Sequence, residues 1–245
     1  MQSTTWSGSR TRVLATACVT VLFALVFVLA AAAPARADDL DQPMLTFSAT
    51  PTVVNWAQPW ALTGELMASN MDAIPDAAVD LQASVDGGDS YATLEGVAPA
   101  AGTSTYSGSY AAPYEKTMYR LFFAGDATHD PAWSDPVTII PRVKLGKPVA
   151  PSSVKKGAKF TAYGSLSPQQ PRNSKTVKIK CYLKQSGKWV LKKTVTATNA
   201  NKGSATRYSA KFSLSSKGSW KLVGYSAATD KYAKTTSGNE TLKVK

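Results

Sequence analysis

The sequence predicts an all-β protein built from two tandem β-sandwich units, and two observations lead to this prediction. Thr176–Lys184 (TVKIKCYLK) alternates apolar and polar residues, which is the period-two pattern of a strand with one buried face. Val79–Val85 (VDLQASV) repeats the pattern 98 residues earlier, measured from Val177 back to Val79. Because no stretch after the first 37 residues sustains a helical period with capping residues, the remaining apolar patterns are assigned to strands.

Residues 1–37 are predicted to be a cleaved signal peptide. Arg10 and Arg12 supply positive charge, an apolar run covers Val13–Ala33, and Ala35–Ala37 (ARA) provides an A-x-A cleavage signal. The alternative is a retained membrane anchor, since the run is long enough to span a bilayer. Cleavage predicts a secreted, extracellular protein without a transmembrane span, either free or associated with the cell wall. The C-terminal sequence carries no sorting motif, so covalent wall anchoring is not expected.

The remaining 208 residues suit two units of about 100 residues each, here 38–141 and 142–245. The units carry opposite charge. The first has 14 acidic residues against two basic ones, and the second has 23 basic residues against two acidic ones. A change of sign at a unit boundary points to partners or to association.

Each unit contains a similar order of predicted strands. The strands of the first unit are Leu45–Val54 (broken at Pro51), Trp60–Leu66, Val79–Val85, Tyr91–Glu95, Thr105–Tyr110, Met118–Ala124 and Pro136–Ile140. Those of the second unit are Lys159–Ser165, Thr176–Lys184, Trp189–Val195, Tyr208–Leu214, Trp220–Tyr225 and Glu240–Val244. About seven short strands in about 100 residues, with frequent turn signals, are typical of an immunoglobulin-like β-sandwich.

One segment resembles a known family. Tyr119–Ile139 (YRLFFAGDATHDPAWSDPVTI) resembles the closing strands of bacterial immunoglobulin-like repeats in exported proteins of high-GC Gram-positive bacteria, and Ser219–Val244 is a weaker copy. The resemblance covers both units but is specific mainly in that closing segment. The resemblance implies a β-sandwich fold, an extracellular location and a role as a stalk, spacer or adhesive module. It implies no catalytic residues.

The alternation also predicts which side chains are buried. The expected core residues are Val79, Leu81, Val85, Tyr119, Leu121, Val177, Ile179, Cys181, Leu183, Trp220 and Leu222. Cys181 is the only cysteine after the leader, so no internal disulfide is expected and the cores must hold by burial alone. On an apolar strand face this cysteine is expected to be an inert hydrophobic residue.

The residue inventory argues against an enzyme. The mature chain has one histidine, His129, and one buried thiol, so no catalytic residue and no cofactor are expected. Calcium is a weaker hypothesis, because two loops at one end of the sandwich would bring together Asp72, Asp76, Asp126, Asp130 and Asp135. The alternative is that aspartate suits turns. Carbohydrate binding is disfavoured, because Trp56 and Trp60 are expected at the opposite end from Trp133.

A cationic strand face is the best binding candidate in the sequence. It comprises Lys178, Lys180 and Lys184 on one strand, with Lys188, Lys192 and Lys193 on or beside the next. Such a face binds polyanions with steep salt dependence, and an anionic cell-envelope polymer is the expected partner. The alternative is a solvated face that only keeps the protein soluble. Few aromatic residues interleave the lysines in sequence, so base stacking and sequence-specific binding of nucleic acid are not expected.

The short junction Arg142–Lys147 predicts that opposite charges meet between the units. The acidic side would present Asp86, Asp89 and Glu115, and the basic side Arg172, Lys175, Lys231 and Lys234. The alternative is head-to-tail association of separate molecules. Together these patterns predict a non-enzymatic module with a structural or adhesive role. The sequence does not identify its partner, and the candidates are an anionic cell-envelope polymer and another surface protein. The second hypothesis is an accessory protein that binds a polyanion or a cell-wall polymer through its basic unit.

Overall fold

A computed structural model of the chain describes residues 40–170, 175–203 and 205–245. The predicted signal peptide and Arg172 lie outside these residues. All regular secondary structure in the described residues is β-strand, in 17 strands. Within them, no helix has the length and apolarity needed to cross a membrane.

The N-terminal half comprises strands β1–β9 in two sheets. The first sheet has the order β1-β3-β6, with β1 at Met44–Thr50, β3 at Pro59–Met67 and β6 at Thr105–Ala111. The second has the order β2-β9-β7-β4-β5, with β2 at Val53–Asn55, β4 at Val79–Ser84, β5 at Ala92–Val97, β7 at Thr117–Phe123 and β9 at Val137–Arg142. Short β8 (Ala132–Trp133) pairs with β7.

The C-terminal half comprises strands β10–β17 in one continuous eight-stranded sheet of order β10-β12-β15-β14-β13-β16-β17-β11. The strands are β10 at Lys144–Leu145, β11 at Ser153–Val154, β12 at Phe160–Ser167, β13 at Val177–Gln185, β14 at Lys188–Lys202, β15 at Ala205–Phe212, β16 at Gly218–Ser226 and β17 at Thr235–Val244. Both halves fall within one compact unit, Asp39–Lys245.

Strand β14 joins the two layers of the C-terminal half. Its first part, residues 188–197, pairs with β13, and its last part, residues 198–202, pairs with β15. The sequence predicted a strand only at Trp189–Val195, because the apolar alternation weakens after Val195. The strand continues for 15 residues, since its second part finds a new partner in the other layer.

Each half surrounds its own cluster of buried hydrophobic side chains, which fits a β-sandwich architecture. The N-terminal cluster includes Trp60, Leu81, Tyr106, Leu121 and Ile139, and the C-terminal cluster includes Ile179, Cys181, Tyr208, Trp220 and Leu222. Ten of the eleven core residues expected from sequence are buried, which confirms the face assignment of the central strands.

Val85 is the exception, because its side chain is 66% exposed. Strand β4 ends one residue earlier, at Ser84, whose hydroxyl donates a 2.6 Å hydrogen bond to the Asp86 carboxylate. The chain therefore leaves the sheet before the alternation reaches Val85, and the prediction that this residue is buried is wrong.

A glycine faces a buried tyrosine in each half. Gly64 on β3 pairs with Tyr106 on β6, and Gly164 on β12 pairs with Tyr208 on β15. Both tyrosine hydroxyls donate 2.7 Å hydrogen bonds to backbone carbonyls, of Ala77 and Gly146 respectively. An added Cβ at Gly164 would press against the Tyr208 ring, whereas at Gly64 it would meet Leu121 and the Thr46 carbonyl.

Cys181 is fully buried, and burial raises the pKa of its thiol to about 12. Thiols react as thiolates, so we expect this buried cysteine to be unreactive in the folded protein. In a Cys18→Ser variant, we expect a thiol-specific reagent at about pH 8 to label no thiol in the native protein and one thiol per chain in denaturant. Native labelling as fast as that of unfolded protein would contradict this burial.

Candidate ligand-binding face

One outward face of the C-terminal half is formed by β13 and the two strands that pair with it, β14 and β16. Lys178, Lys180, Tyr182 and Lys184 alternate along β13 with the buried residues of the core. Tyr182 lies opposite Lys221 on β16, and Lys184 lies opposite Trp189 on β14. Residues directly opposite each other in antiparallel strands share a face, so cations and aromatic rings of three strands are brought together.

Three cations of this face, Lys180, Lys184 and Lys221, lie over aromatic rings. Lys180 Nζ is 3.7 Å from the centroid of the Tyr225 ring. Lys221 Nζ is 5.0 Å from the Tyr182 ring and 5.1 Å from the Trp189 ring, and Lys184 Nζ is 6.0 Å from Trp189. Such contacts contribute about 0.5–1 kcal/mol each at exposed sites and fix the positions of the ammonium groups. We call these six residues the lysine–aromatic face.

The aromatic rings of this face correct one expectation from sequence. Few aromatic residues interleave the lysines along β13, but Tyr225 and Trp189 reach the face from neighbouring strands. Lys221 also belongs to the face and was not among the predicted residues. Its outward position in the alternation of Trp220–Tyr225 is the signal that could have identified it.

The six lysines predicted from sequence do not form one surface. Lys178, Lys180 and Lys184 share the outward positions of β13, whereas Lys188 lies at the hairpin end opposite Gln185. A register shift at Cys181 places Lys193 opposite that buried residue. The Nζ of Lys193 donates a hydrogen bond to the Ser213 carbonyl over 2.9 Å and lies 5.9 Å from the centroid of the Phe212 ring. Lys192 is exposed within the irregular part of β14. A regular alternation from sequence cannot anticipate such a shift.

Contacts between the halves include one predicted ion pair. Lys231 Nζ lies 2.5 Å from Glu115 Oε2, and this contact raises the pKa of Lys231. Beside it, the Lys116 amide donates to the Lys231 carbonyl over 2.8 Å, and the Ala233 amide donates to the Pro141 carbonyl over 3.0 Å. Among the described residues, the junction therefore combines backbone hydrogen bonds with the Glu115–Lys231 ion pair.

The other predicted junction residues lie elsewhere or are unpaired. Asp86 accepts hydrogen bonds from Ser84 and Ser90 within its own turn, which lower the pKa of its carboxyl. Asp89 and Lys234 are exposed and form no ion pair with any described residue.

Lys175 is buried instead of facing the junction, with 2% of its surface exposed. Its Nζ donates to the Ala227 carbonyl over 3.1 Å and lies 4.8 Å from the Tyr232 ring centroid. Burial lowers the pKa of this amine. Side-chain alternation within a strand cannot predict that Lys175 is buried, because Lys175 precedes Val177, the first residue of β13.

Three of the five aspartates considered for calcium accept hydrogen bonds from loop residues. Asp72 accepts a 2.8 Å hydrogen bond from Asn70, and Asp76 accepts a 2.7 Å bond from the Gly102 amide. Asp126 accepts from the Thr128 amide and lies 2.9 Å from His129 Nδ1, and these bonds lower the pKa of its carboxyl. Asp130 and Asp135 are the remaining two aspartates of the calcium site predicted from sequence. In the described part of the chain, no three acidic, histidine or cysteine side chains gather as a metal site.

Trp133 forms a smaller aromatic cluster on the N-terminal half. Its ring stacks on Phe122 at a centroid distance of 5.0 Å, and Arg120 lies 3.8 Å from the Tyr91 ring centroid. The sequence predicts Trp133 at the opposite end from Trp56 and Trp60, and in the structure its ring partner is Phe122 on the neighbouring strand β7. The N-terminal half thus also carries exposed aromatic surface beside a cation.

Comparisons with known proteins assign no family. No family model matches the chain, and no curated protein matches it. Superoxide reductase (neelaredoxin) from Ignicoccus hospitalis is 16% identical over 42% of this chain and 82% of its own, with a TM-score of 0.28. Red sea bream transglutaminase is 14% identical over 82% of this chain, with a TM-score of 0.37, and the match spans 31% of that enzyme. Neither similarity supports an argument about function.

Proposed function

We propose that this chain is an exported, non-enzymatic protein of two tandem immunoglobulin-like β-sandwich units, whose basic second unit binds an anionic cell-envelope polymer. The strand order supports the immunoglobulin-like part of the proposal. In each half a short early strand pairs in parallel with the last strand, β2 with β9 and β11 with β17. The signal-peptide pattern at residues 1–37 supports export.

The lysine–aromatic face is the observation that carries the binding role. It offers three ammonium groups and three rings on neighbouring strands, within a half of strong net positive charge. A charged polymer makes many such contacts at once and releases its counterions on binding, so its affinity falls steeply with salt. The rings add apolar contact area beside the charges.

The polymer role predicts a salt-sensitive interaction that depends on this face. We expect the full chain to be retained on a heparin column at low salt. The triple variant Lys180→Gln/Lys184→Gln/Lys221→Gln should elute at lower salt, and the slope of log affinity against log salt should fall by about 2–3.

A matched control removes the same charge elsewhere. Lys155, Lys156 and Lys211 are exposed and lie outside the lysine–aromatic face, so their triple glutamine variant has the same net charge. If both triple variants elute together, the face has no special role and the binding is only a net-charge effect.

A structural or adhesive spacer is the second candidate, and the contacts between the halves favour it. The Glu115–Lys231 pair and the backbone hydrogen bonds beside it limit hinge motion at the junction. A chain that is not retained by heparin or by isolated cell envelope at low salt supports this spacer role, with another surface protein as the partner.

A further inference from the structure

A second cationic site lies on the other layer of the C-terminal half. A cavity of about 350 Å³ opens beside β12, β14 and β15, and its lining includes Lys147, Val149, Tyr163, Lys202 and Arg207. None of these residues belongs to the lysine–aromatic face. The cavity is therefore a separate feature of the basic half.

Arg207 is held in a fixed position with an unused donor. It lies on β15 opposite Ser165 on β12, and its Cζ is 3.6 Å from the centroid of the Tyr163 ring. Its Nε is buried and has no hydrogen-bond partner among the described residues. That atom is closed to solvent, so a ligand in the cavity would contact the terminal amino groups of the guanidinium instead.

The charges around the cavity are only partly compensated. Lys147 Nζ lies 3.2 Å from Glu240 Oε2. Lys202 and Arg207 form no ion pair with the described residues. Three cations thus face the cavity with one carboxylate beside them, which favours an anion over a neutral ligand.

We propose that this cavity binds a monosaccharide-sized ligand carrying one oxyanion, either a carboxylate or a phosphate. A guanidinium offers parallel N–H donors that match the two oxygens of such a group. Val149 is 43% exposed and adds apolar surface beside Tyr163, against which a ring can pack. The volume lies at the lower end of small-molecule sites, which fits one sugar residue rather than a long polymer.

Calorimetric titration of the full chain with three probes tests the site. Glucuronate carries a carboxylate, glucose 6-phosphate a phosphate, and glucose neither. We expect saturable binding of at least one anionic probe and none of glucose, and the preferred anion identifies the source of the oxyanion. Arg207→Gln should raise the Kd at least ~10-fold, and Arg207→Lys less, because lysine keeps the charge but loses the paired donors.

Two control variants make the test decisive. Lys211→Gln removes an exposed charge of the same strand outside the cavity and should leave the Kd unchanged. The Lys180→Gln/Lys184→Gln/Lys221→Gln variant should also bind normally, even if it no longer binds polymer. Absence of saturable binding by either anion, equal binding of glucose, or equal effects of Arg207→Gln and Lys211→Gln would overturn the proposal. Loss of binding in the triple variant would assign the anion to the lysine–aromatic face instead.

Discussion

Replacing Ile179 by alanine is expected to lower the free energy of unfolding by about 2–5 kcal/mol. The side chain is fully buried at the centre of β13, opposite Val195 on β14 and Gly224 on β16. Deleting its outer carbons removes buried apolar area and leaves a cavity that the paired strands on both sides cannot close. Urea denaturation followed by tryptophan fluorescence measures the loss.

Two neighbouring substitutions serve as controls for Ile179. Ile179→Val removes one methylene and should cost about 0.5–1.5 kcal/mol. Lys178→Ala changes the adjacent outward side chain and should stay within about 0.5 kcal/mol of the wild type. A loss of only a few tenths of a kcal/mol for Ile179→Ala would mean that β13 presents its other face to the core.

Replacing Gly164 by alanine is expected to cost about 1–3 kcal/mol, because a close cross-strand contact becomes a clash. An added Cβ would lie 2.4 Å from both Cζ and Oη of Tyr208. The tyrosine cannot move aside easily, since it is fully buried and its hydroxyl is bonded to the Gly146 carbonyl. The effect should appear as a lower urea midpoint with an unchanged slope.

Gly96→Ala is the matched control for Gly164→Ala. Gly96 also lies in a strand, β5, but an added Cβ there meets no atom within 4 Å. Alanine at this position should leave stability unchanged or raise it by up to about 1 kcal/mol, because the unfolded chain loses conformational freedom. If both alanine variants lose stability equally, the loss reflects glycine replacement in general and not the contact with Tyr208.

Strand faces could be predicted from the sequence because side-chain alternation is a local property. Val177, Ile179, Cys181 and Leu183 are all buried, as the pattern indicates. Very short strands such as β10 and β11 were missed, because two residues cannot display a period. Strand β4 ends at Ser84, before Val85, and the alternation does not encode this boundary.

The candidate sites were less accessible to sequence reasoning, since they depend on which residues lie opposite each other across strands. The lysines of β13 could be named, but their rings come from Tyr225 on β16 and Trp189 on β14. The Arg207 cavity gave no signal, because its residues are spread from Lys147 to Arg207. Registers between distant strands are fixed by packing and by irregularities such as the shift at Cys181.

The long strand β14 has a consequence for local unfolding. Its backbone is hydrogen-bonded to β13 in one layer and to β15 in the other, so neither layer opens without disturbing the same strand. Amide hydrogens of both layers should therefore exchange as one cooperative block. In the N-terminal half, β5 and β6 belong to different sheets, and each sheet forms its own hydrogen-bonded ladder. We therefore expect the C-terminal half to exchange as a single cooperative unit, whereas the two ladders of the N-terminal half are coupled only through the side chains of their shared core.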